Sequence, residues 1–278
     1  MFFNCIWGGK MITIYDWFGY EINIRERYKL IKEAGFDGVL LWWSNGFGRD
    51  ACGWNDYRNG PRIAREAGLD IENIHTPVQS QNNLWLDNLD GETLTDCYIQ
   101  CIKNCAEFEI PTMVVHLPDD SYPCNELGLD RLKRIAEKAG WLGVNVALEN
   151  LRNFANLSYV LGQVDSPHIG FCYDCCHHKN YNSGDDLLSM FGSRMMALHL
   201  HDNGGGYGQH QLPFDGMIDW SAIMVDIAET NYSGATALEP MNWDYKDLSA
   251  EEFLYKAYNK AKKLEELRFN RRSECIGI

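Results

Sequence analysis

No long hydrophobic run occurs in this sequence of 278 residues. The longest apolar stretches, such as GVLLWW and TMVVHL, are far shorter than the roughly 20 residues that a membrane-spanning helix needs. The first ten residues, MFFNCIWGGK, have neither the charged start nor the apolar run of a signal peptide. The sequence therefore predicts no membrane partner and a cytoplasmic location.

Positive charge is also scarce. Lys and Arg together number 25 against 39 Asp and Glu, which gives a formal net charge of −14. A surface this acidic repels phosphate backbones. The basic clusters RLKR and RFNRR lie in helix-like or terminal context. We therefore expect no nucleic-acid partner.

Cysteine is present, but the motifs that would give it chemistry are missing. The ten cysteines are scattered through a chain far longer than a disulfide-stapled miniprotein, so we expect them to be reduced and mostly buried. Cys172 and Cys175 form a CxxC, yet the second pair of a zinc ribbon is absent. We expect the strand to continue through Asp174 without a redox helix beginning there, and Cys172, Cys175 and Cys176 to have packing roles.

What the sequence does contain is an alternation of strand-like and helix-like segments. Hydrophobic residues make up 45% of the chain, enough for a full-sized core. Segments with helical period, such as IRERYKLIKEAG and LDRLKRIAEKAG, separate the strand-like runs, and several close with Gly as a helix end should. The short, β-branched runs are MITIYD (11–16), DGVLLWW (37–43), IENIHTP (71–77), TMVVHLP (112–118), NVALEN (145–150), IGFCYD (169–174), MALHLHD (196–202) and ATALEP (235–240).

Eight such units in about 250 residues predict an α/β fold, the (β/α)8 TIM barrel. We expect a single domain over 1–278, with the barrel at about 11–262, a short N-terminal arm before it and a charged C-terminal tail past about 265. A doubly wound open sheet is the alternative, but no Gly-rich phosphate loop follows the first strand.

Six consecutive strands each end in a His, Asp or Glu. The residues are His75, His116, Glu149, Asp174, either His199 or His201, and Glu239. Because the strand ends of a barrel converge on one mouth, these side chains predict a site for a divalent metal. Each residue alone has an ordinary alternative, since a His there can be a hydrogen-bonded polar residue and an Asp can be a helix N-cap. Glu149 is harder to explain in this way, because a buried carboxylate is costly unless it is paired or metal-bound.

The motifs at these strand ends resemble a known family. ALEN, YDCCHH, LHLHDN followed by HQLPFDGMIDW, and ALEP look like the sugar isomerase/epimerase group of the xylose-isomerase-like TIM-barrel superfamily, which also contains apurinic endonucleases. The resemblance covers about 11–262 and implies a metal site of two Glu, one Asp and one His. Carried over to this sequence, the ligands are Glu149, Asp174, His199 and Glu239.

The resemblance also bears on the choice among the histidines. His199 is preferred over His201 as ligand because the family's His is followed three residues later by Asp, which is Asp202 in this sequence. That leaves His201 beside the substrate, and His177 matches a histidine of the family that contacts the substrate. We expect substrate contacts from His75, His116, His177, His201 and His210.

The activity that the resemblance implies is a metal-dependent isomerase or epimerase. It would act on a ketose or related polyol through an enediolate, with Glu149 and Glu239 exchanging the proton. The implied cofactor is a divalent metal, for which Zn, Mn, Mg and Co are all suitable, and the implied partner is a small-molecule sugar. A homo-oligomer is compatible with the sequence. A sugar-stacking wall could be formed by Trp17, Trp42, Trp43 and Trp243.

Two other activities of the same superfamily stay open. A dehydratase or lyase also begins by removing a proton beside a polarised carbonyl, so the same residues would serve. An endonuclease-like phosphoesterase needs an Asp two residues before His210, where this sequence has Gly208, although His75, His116 and His210 would suffice for a second metal. We interpret NGGGYG (203–208) as a mobile lid rather than a phosphate loop, which favours an unphosphorylated sugar.

Overall fold

The computed structural model describes residues 11–43, 57–78, 80–119, 121–230 and 232–276. The predicted N-terminal arm, residues 1–10, lies outside this part of the chain. In the described part, a strand forms at each of the eight predicted runs. The strands are β1 (Ile12–Tyr15), β2 (Gly38–Trp42), β3 (Asp70–His75), β4 (Thr112–Val115), β5 (Asn145–Glu149), β6 (Ile169–Asp174), β7 (Met195–His199) and β8 (Thr236–Leu238).

These strands form one parallel sheet that curls into a nearly closed barrel. The order is β7-β6-β5-β4-β3-β2-β1-β8, and the paired neighbours are parallel. Between β7 and β8 a parallel bridge joins Leu200 to Leu238, with the Leu200 N–H donating to the Ala237 carbonyl at 2.9 Å. The TIM-barrel prediction is confirmed, and the open-sheet alternative is wrong.

Helices alternate with the strands and cover the outside of the barrel. In the described residues they are α1 (Ile24–Ala34), α2 (Gly60–Glu66), α3 (Leu89–Glu107), α4 (Glu126–Leu142), α5 (Phe154–Gln163), α6 (Cys175–Tyr181), α7 (Leu187–Phe191), α8 (Trp220–Glu229) and α9 (Ala250–Ile276). Gly35 ends α1 in the left-handed conformation, as its position predicted. The Gly that ends α4 is Gly143 and not the predicted Gly140. The chain past about 265, predicted as a helix end and tail, is helical as far as Ile276.

Small residues fill the barrel interior below its mouth. Val114, Ala147, Cys172 and Ala197 form a fully buried cluster of their own. Side chains alternate between the two faces of a strand, so the residue two places further along each strand also faces inward. These residues are His116, Glu149, Asp174 and His199. The apolar layer therefore supports a polar layer directly above it.

Two strands carry an extra residue that changes their facing. Phe171 pairs with Met195 while Cys172 pairs with Ala197, so Met196 is the additional residue of β7. In β3, Glu72 is additional, because Val39 pairs with Ile71 and Leu40 with Asn73. Such bulges re-aim the side chains that follow them. The inward facing of the residues that end β3 and β7 depends on them.

Candidate metal and catalytic site

The barrel mouth gathers the predicted side chains in one place. Glu149, Asp174 and His199 are the last residues of β5, β6 and β7, and Glu239 follows β8 directly. Their exposed fractions are 2% for Glu149, 0% for Asp174, 0% for His199 and 7% for Glu239. Three carboxylates are therefore buried together, which requires compensating positive charge.

Glu149 lies at the centre of one half of the site. Its Oε2 is 2.9 Å from His116 Nε2, 3.3 Å from His199 Nδ1 and 3.5 Å from His75 Nε2. Its Oε1 is 3.0 Å from His177 Nδ1. One carboxylate thus faces four imidazole rings from strands three, four and seven and from the start of α6.

Asp174 and Glu239 form the other half. Asp174 Oδ2 is 3.1 Å from His201 Nε2 and 3.5 Å from His177 Nδ1. Glu239 Oε2 is 3.7 Å from His199 Nδ1 and 3.9 Å from His201 Nε2. His199 therefore stands between Glu149 and Glu239 and connects the two halves.

His199 and His201 both turn into the barrel, as the two-residue period predicted. Both are buried, and their nearest carboxylates differ, Glu149 for His199 and Asp174 for His201. The His201 ring stacks on that of His210 at 4.0 Å between centroids. All nine predicted site residues thus lie in this mouth, while their individual roles stay predictions.

The donor set of the mouth fits a divalent metal. Within the described residues, groups of three possible ligand atoms within 4.8 Å of one another include His75, His199 and Glu239, and Glu149, Asp174 and His177. The buried Nδ1 and Nε2 atoms of His199 make no hydrogen bond to the described residues. Native proteins rarely leave buried polar atoms unsatisfied, and imidazole with carboxylate is a common ligand mixture. This mouth can therefore hold a metal ion.

Charge coupling shifts the pKa values of these groups in opposite directions. Burial alone would raise the pKa of Glu149 and Asp174, but the neighbouring histidines outweigh it and hold both values below the ordinary range. Burial would lower the pKa of His177, yet Asp174 and Glu149 raise it to about 9. Burial would lower the pKa of His199, but Cys172 and then the carboxylates of Glu239 and Glu149 outweigh it and raise this pKa well above its ordinary value.

His210 behaves in the opposite way. Burial and the charge of His201 lower its pKa to about 4. Its Nδ1 lies 2.9 Å from the Glu239 carbonyl, which suits a neutral ring that donates from this atom. The mouth thus contains histidines with a raised pKa, such as His177 and His199, and one with a lowered pKa, His210.

Backbone contacts fix Asp174 in this position. Its amide donates to Asn150 Oδ1 at 2.8 Å, and the Asn150 side-chain amide donates to its carbonyl at 2.9 Å. The Asp174 carboxylate also accepts the His177 N–H at 2.7 Å and so caps α6. Sequence reasoning missed Asn150, although its position after the strand-end Glu in ALEN was a usable signal. The N-cap and metal-ligand interpretations of Asp174 are compatible.

The strand continues through Asp174, as predicted, and the helix α6 begins immediately after it. The cap formed by Asp174 explains the start at Cys175. The thiols of Cys175 and Cys176 donate to the His201 carbonyl at 3.1 and 3.0 Å. Cys172 packs inside the barrel, and its sulfur lies within 4.8 Å of ligand atoms of Glu149 and His199.

The Asp202 carboxylate accepts hydrogen bonds from the start of α8 and the segment before it. It accepts the Phe214 and Ile218 backbone N–H groups at 2.9 and 3.1 Å and the Trp220 indole N–H at 2.7 Å. These bonds anchor the segment that leads into α8. The Asp of the HxxD pattern therefore holds this segment against the end of β7.

The predicted tryptophan wall holds only in part. Trp42 faces the mouth, with its ring 5.8 Å from that of His75, and Trp243 lies 5.4 Å from His210. The prediction for Trp43 is wrong, because this side chain is fully buried against Tyr57 and Phe108 on the other face of the strand. Trp17 packs under the guanidinium of Arg27.

The loop 203–208 holds Gly208 away from other groups. Gly208 has φ +59, and no atom lies within 4 Å of the position that a Cβ would take. In the described part of the chain, His177 and His210 share no group of possible metal ligands. The loop is also ordered by Gln209 Oε1, which accepts the Gly204 and Gly206 N–H groups.

Curated relatives include proteins with and without a known activity. Protein y4fM of Sinorhizobium fredii, which is uncharacterised, is 28% identical over 92% of this chain and 94% of its own length. Fructoselysine 3-epimerase of Shigella flexneri is 26% identical over 40% of this chain and 43% of its own length.

Solved structures share the fold. L-ribulose 3-epimerase superposes with a TM-score of 0.74 at 15% identity, covering 97% of this chain and 99% of that one. The IolI protein with a bound zinc atom has a TM-score of 0.71 at 14% identity, with coverage of 92% and 98%.

A model of the xylose isomerase-like TIM barrel family matches residues 28–257. That match includes the strand ends that form the mouth, from His75 to Glu239. Among the described residues, none of the helices has the length and apolar content to cross a membrane. By its sequence, its barrel and its mouth, this chain belongs to the xylose isomerase-like TIM barrel family.

Proposed function

We propose that this chain is a divalent-metal-dependent sugar isomerase or epimerase that acts on a ketose or related polyol. The observation that carries the proposal is the pair Glu149 and Glu239, whose Oε2 atoms lie 3.3 and 3.7 Å from the same His199 nitrogen. Two carboxylates that come from different strands and approach one point can remove a proton and return it. The sugar epimerases among the relatives and solved structures support this substrate class.

Glu149, Asp174, His199 and Glu239 would hold the ion. A divalent cation in this mouth would polarise the substrate carbonyl and stabilise the negative charge that develops on its oxygen. Glu149, whose pKa is held low by His116 and His199 against the effect of burial, is ionised and can accept the proton from the adjacent carbon. Glu239 can deliver a proton from its own side. The His177 ring, with a pKa of about 9, can donate a hydrogen bond to the oxygen as it becomes negative.

A dehydratase or lyase uses the same first step. Both reactions need a carboxylate that removes a proton beside a polarised carbonyl, and they differ in the fate of the neighbouring hydroxyl. Product analysis distinguishes them, because epimerisation conserves the mass of the sugar and dehydration lowers it by one water.

A multinuclear phosphoesterase is the second candidate. It is favoured by His75, His116 and Glu149, whose ligand atoms lie within 4.8 Å of one another and could take a second ion. Against it stand Gly208, which offers no ligand, the separate contacts of His177 and His210, and the net charge of −14. The charge repels DNA, and salt screens it only beyond roughly 8 Å.

One experiment tests the proposal against this rival. We expect the metal-loaded protein to exchange a carbon-bound proton of a ketose with deuterated solvent and not to incise duplex DNA that contains an abasic site. Exchange reports proton removal even when net conversion is slow. Incision without exchange would contradict the proposal, and two metal ions per chain together with incision would establish the phosphoesterase.

A further inference from the structure

A cavity of about 320 Å³ opens beside the mouth, and we name it the outer pocket. His116 and His177 line its inner end, while Arg152, Tyr181 and Tyr207 line the part further out. Its volume is at the lower end of the range of roughly 300–1,000 Å³ that is usual for small-molecule sites. A sugar whose reacting carbons reach the mouth would therefore extend its other end towards Arg152.

Aromatic contacts connect the mouth to Arg152. The His177 ring stacks on Tyr181 with 5.7 Å between centroids, and Tyr181 lies 5.7 Å from Tyr207. The Arg152 guanidinium carbon is 5.0 Å from the Tyr181 ring and 4.9 Å from the Tyr207 ring. Two cation–π contacts thus hold the guanidinium in place without using its N–H donors.

The N–H donors of Arg152, an exposed residue, are open to a ligand. Within the described residues, Arg152 takes part in none of the ion pairs, whereas Arg131 and Arg134 both pair with Glu92. A guanidinium has five N–H donors in a rigid fork that matches a carboxylate or phosphate.

The carboxylate of the outer pocket is already engaged. Asp119 Oδ2 accepts the Asn82 side-chain amide at 3.2 Å, and Asp119 Oδ1 accepts the Ser121 N–H at 3.3 Å. Its negative charge is therefore shared with its own loop, and among the described residues it forms no ion pair with Arg152. The Arg152 guanidinium therefore remains a positive charge in this pocket that is open to a ligand.

We infer that Arg152 recognises an anionic group, a phosphate or a carboxylate, at the end of the substrate that points away from the mouth. The inference rests on the proposed function, because it takes the substrate to be a sugar. If the anionic group is a phosphate, the inference replaces the expectation of an unphosphorylated sugar, which relied on the lack of a phosphate-binding loop. The guanidinium of Arg152 can bind an anionic group through its side-chain N–H donors, without such a loop.

The test compares matched ketoses on the metal-loaded protein. D-fructose, D-fructose 6-phosphate and D-fructuronate share one configuration and differ in the group at C6, and calorimetry measures binding without any need for turnover. We expect at least one of the two anions to bind about tenfold or more tightly than D-fructose, as a charge-assisted hydrogen-bond pair should. The two anionic arms distinguish phosphate from carboxylate recognition.

Variants then assign the preference to Arg152. Arg152→Ala should bring the ratio between the anionic and neutral ketose close to one, and Arg152→Lys should keep part of it, because Lys retains the charge without the fork. Arg25→Ala removes the same charge from an exposed pair with Glu66 outside the pocket and should leave the ratio unchanged. Equal binding of all three ketoses by the native protein, or an equal loss for all three in Arg152→Ala, would overturn the inference.

The two proposals fail separately. An Arg152-dependent preference without proton exchange would support the inference and contradict the isomerase function. Proton exchange of a neutral ketose, with no preference for the anionic ones, would do the reverse.

Discussion

Two regions of the molecule collect carboxylates, and they differ in burial. The mouth holds Glu149, Asp174 and Glu239, all buried and each within 4.0 Å of imidazole nitrogens. A cleft on the outside, between α7 and α8, holds Asp185, Asp186, Asp226 and Glu229 around a larger cavity of about 690 Å³. We name this region the acidic cleft.

The residues of the acidic cleft are exposed to solvent. Water can stabilise each of their charges individually, so no partner is required. In the mouth, water is largely excluded, and every negative charge must be matched by a proton on a His or by a cation. Burial therefore distinguishes the mouth from the acidic cleft more clearly than the number of acids or the size of the cavity does.

The sharpest test of this difference is metal removal. We expect a chelator to abolish activity and a divalent metal to restore it, because loss of the ion removes several kcal/mol of transition-state stabilisation. Asp226→Asn, in the acidic cleft, should leave metal affinity unchanged. Full activity of protein shown by elemental analysis to be metal-free would contradict the metal mechanism.

The two carboxylates proposed as catalytic should give the next largest effect. Glu149→Gln and Glu239→Gln keep the side-chain volume but cannot transfer the proton, so we expect proton exchange to fall about 10²- to 10⁴-fold. Thermal melts should show that both variants are folded, with Asp226→Asn as the matched acid-to-amide control. Native exchange rates in either variant would remove that Glu from the mechanism.

Metal binding should strengthen as the pH rises. The raised pKa of His199 means that this ring carries a proton at neutral pH in the metal-free protein, and metal binding must displace it. Each displaced proton makes the apparent affinity change about tenfold per pH unit below that pKa. Titrations of Zn²⁺ or Mn²⁺ between pH 6 and 8 measure the slope, and an affinity independent of pH would contradict the assignment of His199 as ligand.

Neighbouring histidines provide a smaller, internal comparison. His177 points to Glu149, but His178 turns outward, where its Nδ1 meets the Tyr173 hydroxyl at 2.8 Å and its Nε2 lies 2.9 Å from the Asp185 carbonyl. We expect His177→Ala to lower kcat about 10- to 100-fold, and His178→Ala to change it less than about twofold. Similar losses in both variants, in steady-state kinetics, would mean that α6 matters only as a whole.

The acidic cleft itself should give the smallest effect. Although Asp226 is exposed, loss of part of its hydration and the charges of Asp186 and Glu229 raise its pKa, so its ionised form is disfavoured in the folded state. Asp226→Asn should therefore stabilise the protein at pH 7, by less than about 0.5 kcal/mol because solvent screens the repulsion. The gain should shrink as the pH falls and Asp226 becomes protonated. Denaturant unfolding at pH 7 and pH 5 measures it, and a larger gain at pH 5 would mean that charge repulsion is not its cause.

The strands and the acidic strand ends could be predicted because both follow from local rules. Apolar runs bounded by turn residues indicate buried parallel strands, and in a barrel their last residues share one rim. The facing of Glu149 follows from the period of two within a strand. That is why VALEN alone was enough to place this carboxylate in the mouth.

Contacts between distant segments could not be predicted in this way. The stacking of His210 on His201, the exclusion of Trp43 from the mouth and the outer pocket around Arg152 depend on how loops return to the barrel. The start of α6 at Cys175 was missed because Asp174 was assigned one role and has two contacts. A strand-end carboxylate can cap a helix with one oxygen and face the mouth with the other.

The extra residue Met196 sets the register in which the end of β7 pairs with β6. If the same residues paired without a bulge, Cys172 would lie opposite Met196 and Asp174 opposite Leu198, and His199 would point at the helices. A deletion at Met196 therefore removes the bulge and keeps His199 and His201 facing inward, whereas a deletion of Leu198 carries both rings out of the mouth. In β7, deletion of Met196 therefore keeps both histidines in the mouth. Deletion of Leu198, only two residues further on, turns both of them away from it.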